Sequence, residues 1–388
     1  MAKFLFTTTC LVAFCLLASL VGCQQTKSAR LHPSESILPW KIADFQAYRS
    51  ATREWLTSNR IPVTDNLQQE IEMNLPFECK PQGKAVAGVL FVHGLGDSPY
   101  FFNDVGEYLC DKGYWVRAIL LPGHGSKPGD MLKVSYNSWQ QIVDYQVAAF
   151  AKKVDRLLLA GFSTGANLAT ITAFEREDIE ALLLFSPAFE SSFAYTWLAP
   201  YITSVYPWPN VEPEDNPTRY NSMAMQGFAA YQQSVDVLAD KFDERALEVP
   251  AFMVVAQEDS VVDVDRVAEY FERSMTSPHK RLYWLGSDAP DISGMEKWPM
   301  PIAAQRIGAA SHMSVMFKPD NPLYGADGSI RICDNGQSEE KTQQCEDDEK
   351  VWYGPWGFTE EEKVYARLTY NPYYDKMLRR LGSFLSTL

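Results

Sequence analysis

Histidine is scarce in this chain of 388 residues: five are present, at positions 32, 93, 124, 279 and 312, so any imidazole base comes from a short list. Positive charge is also short. Lys and Arg number 35 against 49 Asp and Glu, a formal charge of −14, with no basic cluster of the kind that holds a phosphate backbone. Nucleic acid is therefore excluded as the expected partner. No His or Cys pairs with the other cysteines at zinc-ligand spacing, so a metal site is not expected. What the chain does have is apolar residues, 46% of the total, enough for one large core or two smaller ones.

The first residues read as a processing signal. Lys3 supplies a short positive start, and Phe4 to Leu20 is apolar apart from Thr7, Thr8, Thr9 and Ser19, too short for a confident membrane span. The stretch ends in Leu20-Val21-Gly22-Cys23, which resembles the bacterial lipobox. The resemblance implies cleavage after residue 22, lipid attachment at Cys23, and a place in the bacterial envelope. Gln24, standing where aspartate would retain the protein inside, favours the outer membrane, facing the periplasm. An ordinary secretory signal is the alternative.

Export fits the cysteine count. Without Cys10, Cys15 and Cys23, four remain, Cys79, Cys110, Cys333 and Cys345, and an oxidising compartment would pair them. Three pairings are possible, and Cys333 with Cys345 is favoured because the two bracket a short acidic segment.

Residues 23–75 read as a tail and an amphipathic helix, with Ile42, Phe45, Tyr48 and Trp55 at roughly helical spacing. From residue 76 onward short apolar runs recur: 86–92, 114–120, 156–160, 181–185, 251–256 and 280–285. Most precede a polar loop and a helix-compatible segment, the sequence form of a βαβ architecture with a mostly parallel sheet. Between about 187 and 248 the alternation stops in an aromatic and proline-rich stretch with a helical candidate at 228–242, read as an inserted helical cap. A second irregular block, about 318–358, carries Cys333, Cys345 and the acidic run 346–349, read as a solvated loop rather than a calcium site. Thr359 with Glu362 has the form of a capping box. Asn371-Pro372 precedes a last helix with Leu378, Leu381, Leu385 and Leu388 on one face.

Gly161-Phe162-Ser163-Thr164-Gly165 lies where an apolar run gives way to an alanine-rich one. A residue turning the chain from strand to helix within two positions is held in a strained conformation that projects its side chain, and small neighbours are needed on either side. The place is also a helix N-terminus, where free N–H groups favour developing negative charge. Ser163 reads either as a nucleophile or as a helix cap.

Two further motifs weigh on that choice. His93-Gly94-Leu95-Gly96 follows the run 86–92, and Pro122-Gly123-His124-Gly125-Ser126, similar to a G-H-G-x-S segment, follows the next run. With the Ser163 motif, these segments resemble the α/β-hydrolase superfamily, in particular its monoacylglycerol-lipase-like and serine aminopeptidase-like hydrolases. The resemblance implies an α/β-hydrolase fold and an oxyanion hole from the N–H groups of Leu95 and Thr164. His93 and His124, which precede the serine, then shape loops and are not bases.

The same family order, nucleophile then acid then base, places the remaining members downstream. Asp259, after the run 251–256, resembles the acid position; Glu258 and Asp263 compete, but Asp263 directly precedes a helix-like segment and suits a cap. The base should follow the last strand. His279 precedes that strand, at the wrong end of a parallel sheet, leaving His312. The gap from Asp259 to His312 is longer than the family's usual one, because of an insertion at 287–300.

The expected activity is that of a serine ester hydrolase acting on monoacylglycerol, lysophospholipid or simple carboxylic esters, which requires no metal or organic cofactor. Peptide hydrolysis is a less favoured outcome on a related fold. The rival reading is a non-catalytic envelope lipoprotein that uses the same fold as a binding scaffold.

Overall fold

The computed structural model describes residues 29–347 and 350–388. The signal segment 1–22 and Cys23 lie outside the described residues.

In chain order the elements are α1 (Phe45–Asn59), α2 (Leu67–Asn74), β1 (Phe77–Cys79), β2 (Gly88–Val92), α3 (Asn103–Asp111), β3 (Trp115–Ile119), α4 (Tyr136–Ala151) and β4 (Leu157–Phe162). There follow α5 (Thr164–Glu175), β5 (Ile179–Phe185), α6 (Ala199–Ile202), α7 (Met225–Glu244), β6 (Ala251–Ala256), α8 (Val264–Arg273), β7 (Arg281–Leu285) and β8 (Met295–Trp298). The chain closes with α9 (Glu339–Asp347), β9 (Trp352–Gly354), β10 (Tyr365–Arg367) and α10 (Tyr374–Leu385).

Eight strands form one sheet in the order β1-β3-β2-β4-β5-β6-β7-β8, with β1 antiparallel to β3 and every other pairing parallel. This is the α/β-hydrolase fold class expected from the sequence. The central strands are continuous apolar runs because both faces are covered. The pleat sends Leu90, Leu159, Leu184 and Val255 to one side, against α4, α5, α7 and α8. It sends Phe91, Ala160, Leu183 and Val254 to the other, against α3, α10 and the segment around Phe317.

Two edge strands have no counterpart in the sequence reading. β1 is three half-buried residues tied to the end of α3 by the Cys79–Cys110 disulfide. β8 forms from the 287–300 insertion and pairs with β7, Leu282 opposite Met295. Its Glu296 is held by Arg380 at 2.7 Å and Lys376 at 2.9 Å, and these contacts hold its carboxyl down at about 2 against the opposing effect of burial.

The stretch between β5 and β6 divides in two. Residues around Phe193, Tyr195, Trp197 and Tyr201 are exposed, whereas α7 packs its Val235, Leu238 and Phe242 into the main core. Asn167 of α5 donates to the Ser234 hydroxyl at 3.1 Å, fastening α7 to the body. The segment ahead of α7 is pinned from the N-terminal side: buried Arg60 pairs with Glu70 at 2.6 Å and donates to the Pro217 carbonyl at 2.7 Å.

The block 318–358 holds more regular structure than expected. Cys333 and Cys345 are joined, the favoured pairing, and Cys345 lies in helix α9 beside buried Val351 and Ala366. The capping box expected at Thr359 and Glu362 does not occur. Residues 360–363 form a turn, the Glu360 carboxylate takes Lys363 at 2.7 Å and the Tyr365 hydroxyl, and the chain enters β10, which pairs with β9. In α10, Leu381 and Leu385 are buried and Leu378 packs against the same core. Among the described residues no helix is long and apolar enough to cross a membrane.

Candidate active site

Ser163 sits at the junction of β4 and α5 with φ 54° and ψ −123°, a backbone region that non-glycine residues rarely occupy. The surroundings maintain it. Its N–H donates to the Phe185 carbonyl at 3.0 Å, and its own carbonyl accepts from Ala166 and Ala188. The flanking glycines are forced by close backbone approach: a Cβ on Gly165 would overlap the Val92 carbonyl, and one on Gly161 would overlap the backbone of Ala166. The geometry is that of a projecting side chain, and Ser163 makes no side-chain cap to α5.

Asp259 lies three residues past the end of β6. Its Oδ1 accepts the N–H groups of Val261 at 2.8 Å and Val262 at 3.1 Å, which fixes the carboxylate and leaves Oδ2 for the His312 Nδ1, 2.6 Å away. Both side chains are shielded, Asp259 1% and His312 13% exposed. With Nδ1 carrying the proton toward a carboxylate, Nε2 is the nitrogen left to accept another. The imidazole is set in place by its backbone: the Ser186 hydroxyl donates to the His312 carbonyl at 3.0 Å, and Ser311 and Ser314 cap the short turn that carries it.

Ser163, His312, Leu95 and Thr164 line one cavity of about 250 Å³ at the carboxyl ends of the strands, the end at which open α/β sheets place their ligands. The Ser163 hydroxyl has no hydrogen-bond partner among the described residues. The Leu95 and Thr164 N–H groups likewise donate to no described residue, so both remain for an incoming oxyanion. Asp263 and Glu258 are elsewhere occupied. Asp263 caps α8 through the Arg266 N–H at 3.1 Å, and exposed Glu258 accepts from Gln257. His279 stands in the turn before β7, away from this cavity.

His93 and His124 are both committed to loop structure. His93 donates from Nδ1 to the Gly94 carbonyl at 2.8 Å and accepts the Leu121 N–H on Nε2 at 3.0 Å. His124 accepts the Gly96 N–H at 3.0 Å and donates from Nδ1 to the Pro122 carbonyl at 3.1 Å. Burial favours the neutral ring in both, lowering His93 to about 4 and His124 well below its ordinary value.

Three cavity residues had no role in the sequence reading. Asp97 is buried, and burial lifts its carboxyl to about 7 despite the opposing charges of Arg219 and His312. Arg219 and Arg367 reach the same cavity from the segment before α7 and from β10. Asp97 had a signal, standing two residues beyond Leu95; the arginines had none, because nothing local distinguishes them. Among the described residues no group of His, Cys, Asp and Glu side chains is arranged to hold a metal ion.

The model of the serine aminopeptidase S33 hydrolase family matches residues 83–243, a span that contains Leu95, Ser163 and Thr164 and ends before Asp259. The thermostable monoacylglycerol lipase of Bacillus sp. (strain H-257) is 28% identical over 92 residues, 24% of this chain and 37% of that protein. The putative esterase/lipase 2 of Mycoplasma pneumoniae is 30% identical over 121 residues, 30% of this chain and 43% of that protein. The chain thus spans less than half the length of these curated relatives. The crystal structure of Paleococcus ferrophilus monoacylglycerol lipase overlays with a TM-score of 0.48 at 17% identity, covering 65% of this chain and 93% of that one. With a mostly parallel eight-stranded sheet, a strained serine between β4 and α5, and that family match, the chain is a member of the α/β-hydrolase superfamily.

Proposed function

We propose that the protein is a serine hydrolase of carboxylic esters, with Ser163 as nucleophile, His312 as base and Asp259 as the acid that orients it. The observation that carries this reading is the strained Ser163 facing the same cavity as an imidazole whose far nitrogen is 2.6 Å from a buried carboxylate. In the substrate complex the hydroxyl turns to Nε2, a bond that is often long or absent before substrate arrives. Ser163 Oγ attacks the acyl carbon as Nε2 takes its proton, and the N–H groups of Leu95 and Thr164 receive the oxyanion. His312 returns the proton to the leaving alcohol. Water, deprotonated by the same nitrogen, then releases the acid and restores the serine, so one ester and one water give one acid and one alcohol.

The acyl chain would lie against the apolar wall formed by Leu95, Phe193, Met223, Phe228 and Val261, as pockets for such groups are mostly hydrophobic. Monoacylglycerols, lysophospholipids and simple carboxylic esters all fit that description, and the named lipase and esterase relatives support the class. The proposed location is the bacterial envelope, anchored through a lipid on Cys23 and facing the periplasm.

A fluorophosphonate probe tests the enzyme. Labelling of the wild-type protein and none of Ser163→Ala is expected; equal labelling of both, or of neither, would discard the reading. Processing blocked by globomycin and by Cys23→Ser is the expected result for the anchor, and unaltered processing would remove it.

A further inference from the structure

The cavity that holds Ser163 is lined by apolar side chains and also by two guanidiniums, Arg219 and Arg367, and neither forms an ion pair with a carboxylate among the described residues. Among the described residues the guanidinium of Arg219 has one hydrogen-bond contact, the Met313 sulfur at 4.0 Å. Arg367 donates from Nη2 to the Asp334 backbone carbonyl at 2.9 Å, while its Nε is buried with no partner. Two cations that feel each other's charge in a shielded site, one with an orphaned donor, are costly unless something negative joins them. Asp334 and Asp97 lend these cations some opposite charge, Asp334 to Arg367 and Asp97 to Arg219, but neither carboxylate closes an ion pair with them.

The position of the pair gives the direction. His312 must hand its proton to the departing alcohol, and Met313, the next residue, is the one Arg219 touches. Arg219 is thus next to the residue that follows the leaving group's proton donor, and this contact points to the alcohol portion of the ester as the part the guanidiniums meet. Planar guanidinium forks match the oxygens of phosphate and carboxylate groups.

We propose that Arg219 and Arg367 form a subsite for an anionic group, phosphate or carboxylate, carried on the alcohol portion of the ester. This rests on the ester-hydrolase reading and narrows its substrate class: the preferred substrate is an amphiphile with an apolar acyl chain and an anionic head beside the scissile bond. A neutral monoacylglycerol would leave both cations without an ion pair.

The test compares three esters of one acyl chain below their micellar concentrations: 1-octanoylglycerol, 1-octanoylglycerol 3-phosphate and octanoyloxyacetate. In the wild-type protein kcat/KM is expected to be at least tenfold higher for an anionic ester than for the neutral one, and the better of the two identifies phosphate or carboxylate. Raising salt should shrink that ratio. Arg219→Gln and Arg367→Gln should each reduce the ratio at least fivefold, chiefly through KM, and the Lys variants should recover part of it. A wild-type ratio of one or less with the neutral ester turned over, or a ratio that neither Gln variant changes, would overturn the subsite while leaving the hydrolase reading intact. A binding measurement stands independently of turnover. Calorimetry with Ser163→Ala should show the octanoylglycerol phosphate bound at least tenfold more tightly than 1-octanoylglycerol, and equal affinity would overturn the subsite even if no ester is hydrolysed. Absence of both turnover and fluorophosphonate labelling would instead remove the hydrolase reading.

Discussion

The Gly96 N–H donates to His124 Nε2 at 3.0 Å, and the Gly96 carbonyl accepts from the Tyr220 N–H at 2.8 Å. The loop that carries Leu95 is thus held from two sides, by the turn after β3 and by the segment before α7. Tyr220 stacks on the His124 ring, with centroids 6.4 Å apart and planes 6° from parallel, and its hydroxyl accepts from the Ser126 N–H at 2.8 Å. A histidine outside the proposed triad therefore sets the position of a proposed oxyanion donor.

Replacing His124 by Leu should act on kcat. The Gly96 N–H loses its partner, the loop relaxes, and the Leu95 donor moves off its target, a displacement that costs on the order of a hundredfold in rate. KM should change little. Steady-state kinetics on an aryl ester check this, and a purely KM effect would show that the loop serves binding alone.

Asp259 and Asp263 offer a contrast between two carboxylates four residues apart. Asp259→Asn removes the charge facing the His312 Nδ1 and should lower kcat by roughly a thousandfold or more. Asp263→Ala should cost about 1 kcal/mol of stability through the lost α8 cap, with turnover retained. Kinetics and urea unfolding on the pair separate the roles, and the opposite pattern would exchange them.

Gly165→Ala should fail by collision. The added methyl would overlap the Val92 and His93 carbonyls, backbone atoms that cannot rotate away. Loss of folded protein, or destabilisation by roughly 3 kcal/mol or more, is expected by thermal unfolding.

Asp97 gives a pH signature whose sign follows from burial. Its carboxyl is raised from 3.8 to about 7, so the folded state holds a proton that the unfolded state has released. The stabilising effect is complete below about pH 4 and disappears as pH rises through 7. Buried His93, lowered to about 4, acts oppositely: its contribution is complete above pH 6.5 and disappears as pH falls through 4. Asp97→Asn abolishes the first effect alone. Between pH 4 and 7 the variant should therefore gain stability over wild type by roughly 1.4 kcal/mol for each pH unit at most. Urea unfolding across that range checks it, and a pH-independent difference would show that Asp97 does not titrate in the folded protein.

The six apolar runs read from the sequence correspond to β2 to β7, because a strand covered on both faces is apolar along most of its length, with Arg117, Glu180 and Arg281 the charged exceptions. β1 and β8 were illegible for the converse reason. Phe77-Glu78-Cys79 and Met295-Glu296-Lys297-Trp298 are edge strands with polar or half-exposed positions, and they carry no apolar pattern. α9 buries only Cys345, so it showed no periodicity. The false capping box at Thr359 had the right letters but no apolar face after it, and the Glu360 contacts carried the chain into β10 instead.

The site divides the same way. The turn at Ser163 was readable because a strained backbone between two close approaches demands glycine on both sides, a constraint written into five consecutive residues. The order of strands and the short list of histidines then narrowed the partners. What only the tertiary structure decided was convergence: that His312, arriving by a long loop past an added strand, meets Asp259, and that Arg219 and Arg367 share the cavity with them. Local sequence fixes local conformation, whereas contacts between distant segments depend on the path of the whole chain, and no pattern within a few residues records it.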